Sequence, residues 1–142
     1  MNEDTQNKKV LVEVKDLCCV HGNRYTLTNI SWQVEKGSNW LVFGLNGSGK
    51  TTLLSIIAGF TDSSSGQVKV FGQEYNRDNT LELRKKIGWV SSSFFDKYYS
   101  NETALNIVLS GLFGTLGVSG LVTDLQMKNA LDLLKELNLY KK

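Results

Sequence analysis

Gly44-Leu45-Asn46-Gly47-Ser48-Gly49-Lys50-Thr51 is the stretch on which the reading of this sequence turns. It fits G-x-x-x-x-G-K-[ST] at every fixed position. The pattern marks a phosphate-binding loop when a buried strand precedes it and a helix follows at once. Both neighbours are legible. Trp40-Leu41-Val42-Phe43 is a short continuous apolar run, as expected of a strand buried on both faces. From Lys50 to about Ala58, Leu53, Leu54, Ile56 and Ile57 predict a helix with these residues facing inward, and Gly59 ends it. Glycine lets the backbone wrap a phosphate without side-chain clash. Successive N–H groups and the positive end of the helix then attract its oxygens. Lys50 can reach the β- and γ-phosphates, Thr51 offers a hydroxyl to Mg²⁺, and Thr52 is placed to help at the α-phosphate. The bland alternative is a Gly-rich turn that happens to precede a helix.

Working outward, Val10, Val12 and Val14 alternate with polar positions and predict a half-buried strand over 10–17. Ile30, Trp32 and Val34 alternate in the same way, and Lys36-Gly37 reads as a turn. Residues 61–66 read as a loop, and Val68 and Val70 as a strand stopped by Gly72. A short helix is expected over 80–86, whose Arg84-Lys85-Lys86 cluster reads as a solvated face. Ile87 to Val90 is expected as the next buried strand, followed by a polar-aromatic loop from Ser91 to Asn101. Asn101 is the expected N-cap of a helix from Glu102. The last element is an amphipathic helix. Thr123 and Gln126 form its capping box, and Met127, Ala130, Leu131, Leu134 and Leu137 make its apolar stripe. Lys135 and Lys141 suit its C-terminal half. Strands alternating with helices point to an α/β layer structure.

Composition bounds the function classes. The 142 residues match one average domain, and 41% hydrophobic with 21% charged residues excludes a mainly disordered chain. A net charge of +2 gives no electrostatic ground for nucleic-acid binding. Residues 1–9 are almost wholly polar and read as a disordered lead-in, without the apolar core of a secretory signal. Cys18 and Cys19 are neighbours and close no useful loop, which fits a reducing, cytosolic compartment. With His21 they could be imagined as metal ligands. At a strand end alternate side chains point to opposite faces, so core or edge thiols are the better reading. Thr103 to Thr123 carries no charge and is long enough to span a bilayer. Gly111, Gly114, Gly117 and Gly120 argue instead for a short buried helix followed by a Gly-rich loop.

Taken together these stretches resemble the ATP-binding cassette (ABC) transporter ATPases over about residues 10–140. Gly44 to Leu54 is similar to the family's Walker A segment, with Leu45 where the family often has proline. Leu27 to Gly37 resembles the pair of strands ahead of that loop. Ser65-Gly66-Gln67-Val68-Lys69-Val70-Phe71-Gly72 resembles the family's S-G-x-[VI]-x-[VIF]-x-G stretch, and Ile87-Gly88-Trp89-Val90 the strand entering the Q-loop. The resemblance implies an α/β P-loop NTPase core with an N-terminal antiparallel β subdomain and the start of a helical subdomain. Residues 10–142 would be an incomplete nucleotide-binding domain, with the helical subdomain at about 100–142.

The resemblance also implies a site. Gly44, Asn46, Gly47, Ser48, Gly49, Lys50, Thr51 and Thr52 would bind the phosphates of ATP, with Mg²⁺ held through Thr51. Counting back by family spacing puts His21 where an aromatic side chain usually stacks on adenine, with Tyr25 close by; the alternative for His21 is a surface turn residue beside Gly22. The Q-loop glutamine should fall near Ser92, yet no glutamine occurs between Gln73 and Gln126, leaving Ser92 or a water as its substitute at the metal. Phe94, Phe95, Tyr98 and Tyr99 would lie near the groove that meets a permease, or simply pin their loop.

Other family parts are missing. There is no LSGGQ-like signature; Leu109-Ser110-Gly111 starts like one but continues Leu112-Phe113-Gly114. No apolar run ends in Asp-Glu as Walker B requires, and His21, the single histidine, leaves no switch histidine. The chain thus reads as ending inside the helical subdomain, with sheet edge and apolar surface uncovered, and marginally stable or self-associating alone. The family sandwiches ATP between the Walker A loop of one cassette and the signature of another, which two copies of this chain cannot build. The implied function is the ATP-binding subunit of a transporter, an ABC-type ATPase that is inactive or nearly so as this chain alone. It would work with membrane permease subunits and a second cassette, peripherally at the cytoplasmic face of the cell membrane. The alternatives are a truncated, non-catalytic nucleotide-binding remnant and a soluble non-transport ABC protein.

Overall fold

A computed structural model describes residues 9–91 and 102–139. The lead-in up to Lys8, Ser92, the aromatics Phe94, Phe95, Tyr98 and Tyr99, Asn101 and Lys141 lie outside the described residues. The chain divides into two units, Met1–Thr80 and Leu81–Lys142.

The first unit is built on a long hairpin. Strand β1 (Val10–His21) pairs antiparallel with β2 (Arg24–Glu35) from Val10↔Glu35 to His21↔Arg24. Gly22, with φ of 60°, opens the two-residue turn between them, the position where hairpin geometry favours glycine. β3 (Ser65–Val70) pairs with the other edge of β1, and β4 (Gln73–Glu74) follows across Phe71-Gly72, where both φ angles are positive as a type I′ turn requires. The sheet order is β2-β1-β3-β4.

The alternation read over 10–17 holds, but β1 runs on to His21. The register shifts between Val14 and Leu17, and Asp16 takes a φ of 48°. This bulge lets a strand whose period has slipped return Leu17 to the core face. Gly66 makes the local packing possible: a Cβ there would stand 2.5 Å from the Asp16 carbonyl oxygen. Val14, Leu17, Cys19, Leu27, Val68 and Val70 are the sheet's buried apolar residues. Helix α1 (Lys50–Ile57) packs on β2 and β3 and adds Leu53 and Ile56, with Ala58 just beyond its end.

Two expectations fail in this unit. Leu54 is exposed, because it stands one helical step round from the Leu53–Ile56–Ile57 stripe. Trp40–Phe43 is not a strand, and Trp40, Leu41 and Phe43 are 58%, 76% and 86% exposed. A strand exists through the pairing of its backbone groups, and no described residue offers this run a partner. Trp40 instead sets its ring edge-on to Trp32, with centroids 5.4 Å apart, and its Nε1 donates to Ser38 Oγ.

The second unit begins within α2 (Thr80–Arg84), whose Leu83 is fully buried. Ile87–Val90 is likewise no strand, and Val90 is bare; here too the described residues hold no adjacent strand. α3 (Ala104–Ser110) starts two residues later than expected, because Thr103 is its cap: the Thr103 hydroxyl accepts from the Asn106 N–H. A glycine-rich loop follows, with Gly114 and Gly117 at positive φ, and no described helix is long and apolar enough to cross a membrane.

α4 (Asp124–Glu136) opens on the capping box read from the sequence, Thr123 N–H to Gln126 Oε1 at 2.9 Å and Gln126 N–H to Thr123 Oγ1 at 3.3 Å. It packs on α3 through buried Ala130 and Leu134, with Met127 and Leu131 half-buried. Leu137 falls off the stripe and is exposed, since it lies past the last helical residue. On its surface Lys135 reaches Asp132 at 2.8 Å and, by that hydrogen bond first and by its charge second, holds the Asp132 carboxyl below the usual range.

Candidate functional site

The loop Gly44–Gly49 carries the chain into α1 at Lys50. Gly47 and Gly49 have φ of 80° and 88°, a region L side chains rarely enter. Gly49 is buried, and a Cβ there would lie 2.6 Å from the Thr26 carbonyl oxygen and 2.7 Å from Leu27 Cδ2. Only glycine lets the loop rest this closely on β2. No side chain caps α1, so the N–H groups of its first turn stay open to a ligand.

Lys50 holds the loop from inside. Its Nζ donates to the carbonyl oxygens of Gly44 and Leu45 at 2.7 and 2.8 Å, and lies 3.5 Å from Ser48 Oγ. The ammonium is thereby fixed between the two ends of the loop. Ser48 N–H in turn donates to the Leu45 carbonyl at 3.1 Å. Around this centre Thr26, Asn46, Gly47, Ser48, Gly49, Lys50, Thr51 and Thr52 line an open cavity of about 310 Å³. A fixed cation, positive-φ glycines and uncapped N–H groups are what a chain of phosphates needs. Thr51, exposed at the cavity wall, is the hydroxyl available to a phosphate-bound divalent cation. The residues present fit that group.

The structure thus brings together seven of the residues read from the sequence, Asn46 to Thr52, and sets Gly44 beneath them through its carbonyl. His21 and Tyr25 are both exposed on the β1–β2 hairpin and do not line the cavity. Ser92 lies outside the described residues. Thr26 is the residue that sequence reasoning missed. It sits where the β1–β2 register shifts between Cys19↔Leu27 and Val20↔Tyr25, and that bulge left no mark in residue types. Among the described residues no group of three or more His, Cys, Asp and Glu side chains could hold a metal by itself.

Comparison with known proteins gives this arrangement a context. The family model described as ABC transporter matches residues 27–142. The uncharacterized ABC transporter ATP-binding protein YlmA of Bacillus subtilis is 32% identical over 129 residues, covering 90% of this chain and 49% of that protein. The energy-coupling factor transporter ATP-binding protein EcfA1 of Streptococcus agalactiae is 46% identical over 66 residues, 46% of this chain and 24% of that protein. Among solved structures, the dimeric ATP-binding cassette MJ0796 in a post-hydrolysis state bound to ADP and Pi superposes with a TM-score of 0.69 at 26% identity. That match covers 90% of this chain and 57% of the cassette. The chain therefore spans about half the length of YlmA.

Proposed function

The chain belongs to the ABC transporter family, and from that premise we propose that it is the nucleotide-binding part of a subunit coupling ATP binding and hydrolysis to transport through a membrane permease. The observation that carries this reading is Lys50, its ammonium held at 2.7–2.8 Å from two loop carbonyls inside an open, glycine-lined cavity. When bound, Mg²⁺ neutralises phosphate charge as phosphoryl transfer requires. Asn46 to Thr52 would hold the phosphates, and the Thr51 hydroxyl would be available to the ion. Support for transport comes from the names of YlmA and EcfA1, and support for pairing with a second cassette from the dimeric MJ0796. The workplace is the cytoplasmic face of the membrane, with the permease as partner.

The same reading leaves the exposed runs 40–43 and 87–90 without a strand partner among the described residues. It also makes the chain by itself a binder with little turnover. The sequence has no adjacent Asp-Glu after an apolar run, no histidine besides His21 and no glutamine between Gln73 and Gln126. Calorimetric titration with Mg·ATP tests the core of the proposal. Lys50→Ala is expected to weaken binding about 10- to 100-fold, the worth of a charge-assisted phosphate contact. Equal affinity in wild type and variant would remove the phosphate site from this loop. ATP hydrolysis well above background by the chain alone would show that it is more than a binder.

A further inference from the structure

We propose that Asn46 is a site of spontaneous modification: in the empty loop its side-chain amide is lost to a succinimide ring closed by the Gly47 nitrogen, and phosphate bound in the loop shields it. The ring closure rests on the loop's own geometry, and the shielding rests on the nucleotide reading. Asparagine is among the labile side chains, and Asn46 is the one asparagine of the sequence that glycine follows. Glycine has no side chain to hinder attack by its nitrogen, and its backbone reaches the angles that ring closure needs. Asn46 and Gly47 are both exposed and lie in a turn outside every described helix and strand. The Ser48 N–H closes that turn on the Leu45 carbonyl at 3.1 Å, with both residues between its ends. Gly47 has φ of 80°, and a Cβ there would meet nothing within 4 Å. No described residue hydrogen-bonds to the Asn46 side chain or to the Gly47 N–H. Other asparagines are tied down. Asn76 Oδ1 accepts from the Asp78 and Asn79 N–H groups. Asn79 accepts from the Asn76 N–H and donates to the Glu74 carbonyl.

The step balances with water as its only co-reactant. The Gly47 nitrogen gives its proton to solvent and attacks Asn46 Cγ. The N–Cγ bond forms, the Cγ–Nδ2 bond breaks, and Nδ2 takes up a proton and leaves as ammonia. Water then opens the ring. Cleavage at Cγ leaves aspartate at position 46, and cleavage at the main-chain carbonyl leaves isoaspartate, with an extra methylene in the backbone. Either product sets a carboxylate where a neutral amide lined the phosphate cavity, so phosphate is repelled. Isoaspartate also displaces the N–H groups that follow it in the loop. A bound phosphate acts the other way, because it takes the loop N–H groups as donors. An N–H that donates to a phosphate oxygen is fixed in place and keeps its proton, and the attack stops.

Peptide mapping by mass spectrometry, on the chain aged at mildly alkaline pH, reads conversion at every asparagine at once. Asn46 should convert first, ahead of Asn76 and Asn79, and faster as pH rises. Mg·tripolyphosphate at about ten times its Kd should slow the conversion about 10-fold, in step with the fraction of empty loops. Affinity for Mg·ATP should be about 10-fold weaker in the converted chain than in the fresh one, the effect of a carboxylate beside phosphate in a site open to water. Asn46→Gln, whatever affinity it starts with, should lose none on ageing, because its larger ring closes far more slowly. If Asn46 converts no faster than Asn76, or if aged Asn46→Gln loses affinity as wild type does, the modification site falls. If tripolyphosphate binds and leaves the rate unchanged, the shielding falls while the phosphate site stands. If neither tripolyphosphate nor ATP binds the fresh chain, the nucleotide reading falls and the shielding falls with it.

Discussion

The β1–β2 hairpin and the run Trp40–Phe43 draw on the same kinds of residue, yet Leu17 is fully buried while Phe43 is 86% exposed. The difference lies in where their partners are. β1 finds β2 across a two-residue turn and β3 much further along the chain, through a register that its own bulges adjust, so all its pairing is antiparallel and lies among the described residues. Residues 40–43 lead into a phosphate loop and then a helix, as the first strand of a β-loop-α unit does. Such a strand needs parallel neighbours reached by long crossovers. The partners of β1 are present among the described residues, whereas no described strand pairs with 40–43.

That contrast breaks most visibly if the hairpin is not the true core. Leu17→Ala should destabilise the first unit by about 2–5 kcal/mol, the range for emptying a fully buried leucine site, read as a lower urea midpoint. A loss under about 1 kcal/mol would mean that the sheet is not what holds the unit together. Gly66→Ala ranks next. Its φ of 87° strains any Cβ, and the added atom would press on the Asp16 carbonyl at 2.5 Å. Strain at a sparsely populated backbone angle costs about 1–3 kcal/mol, and the β1–β3 register should loosen around Lys15 and Cys18, visible as faster amide exchange there.

How far the sequence discloses the molecule follows the same division. Alternation found β1, β2 and β3, and residue spacing found α4 with its capping box, because those signals depend on nearby residues. The cavity-lining run Asn46 to Thr52 was legible for the same reason: its residues are consecutive in the chain. Apolarity alone could not say whether 40–43 and 87–90 are covered, since a buried strand and an uncovered one have the same composition. Nor could it place Thr26, which depends on a one-residue slip between Leu27 and Tyr25.

Local self-sufficiency extends to the second unit, where α4 offers smaller tests. Thr123→Ala removes the cap that accepts from the Gln126 N–H and should cost about 1 kcal/mol, seen as reduced helical signal on heating. The surface pair Lys135–Asp132 ranks below the cap. Asp132 has its carboxyl held below the usual range, so its contribution is fully present above the ordinary aspartate pKa and fades as pH falls through the lowered value. Acid titration of helicity should therefore soften slightly in Asp132→Asn, and added salt should erase most of the difference.

The smallest effect on stability is expected where the apolar content is greatest. Phe43→Ser alters a ring that is 86% exposed, so the urea midpoint should move by no more than about 0.5 kcal/mol equivalent. Self-association should respond instead, because bare apolar runs with unpaired backbone recruit other chains. Sedimentation velocity across a concentration series is expected to show less oligomer in Phe43→Ser than in wild type. A midpoint that fell as far as in Leu17→Ala would mean that Phe43 is buried in solution. The run would then have found a partner, and its contrast with the hairpin would disappear.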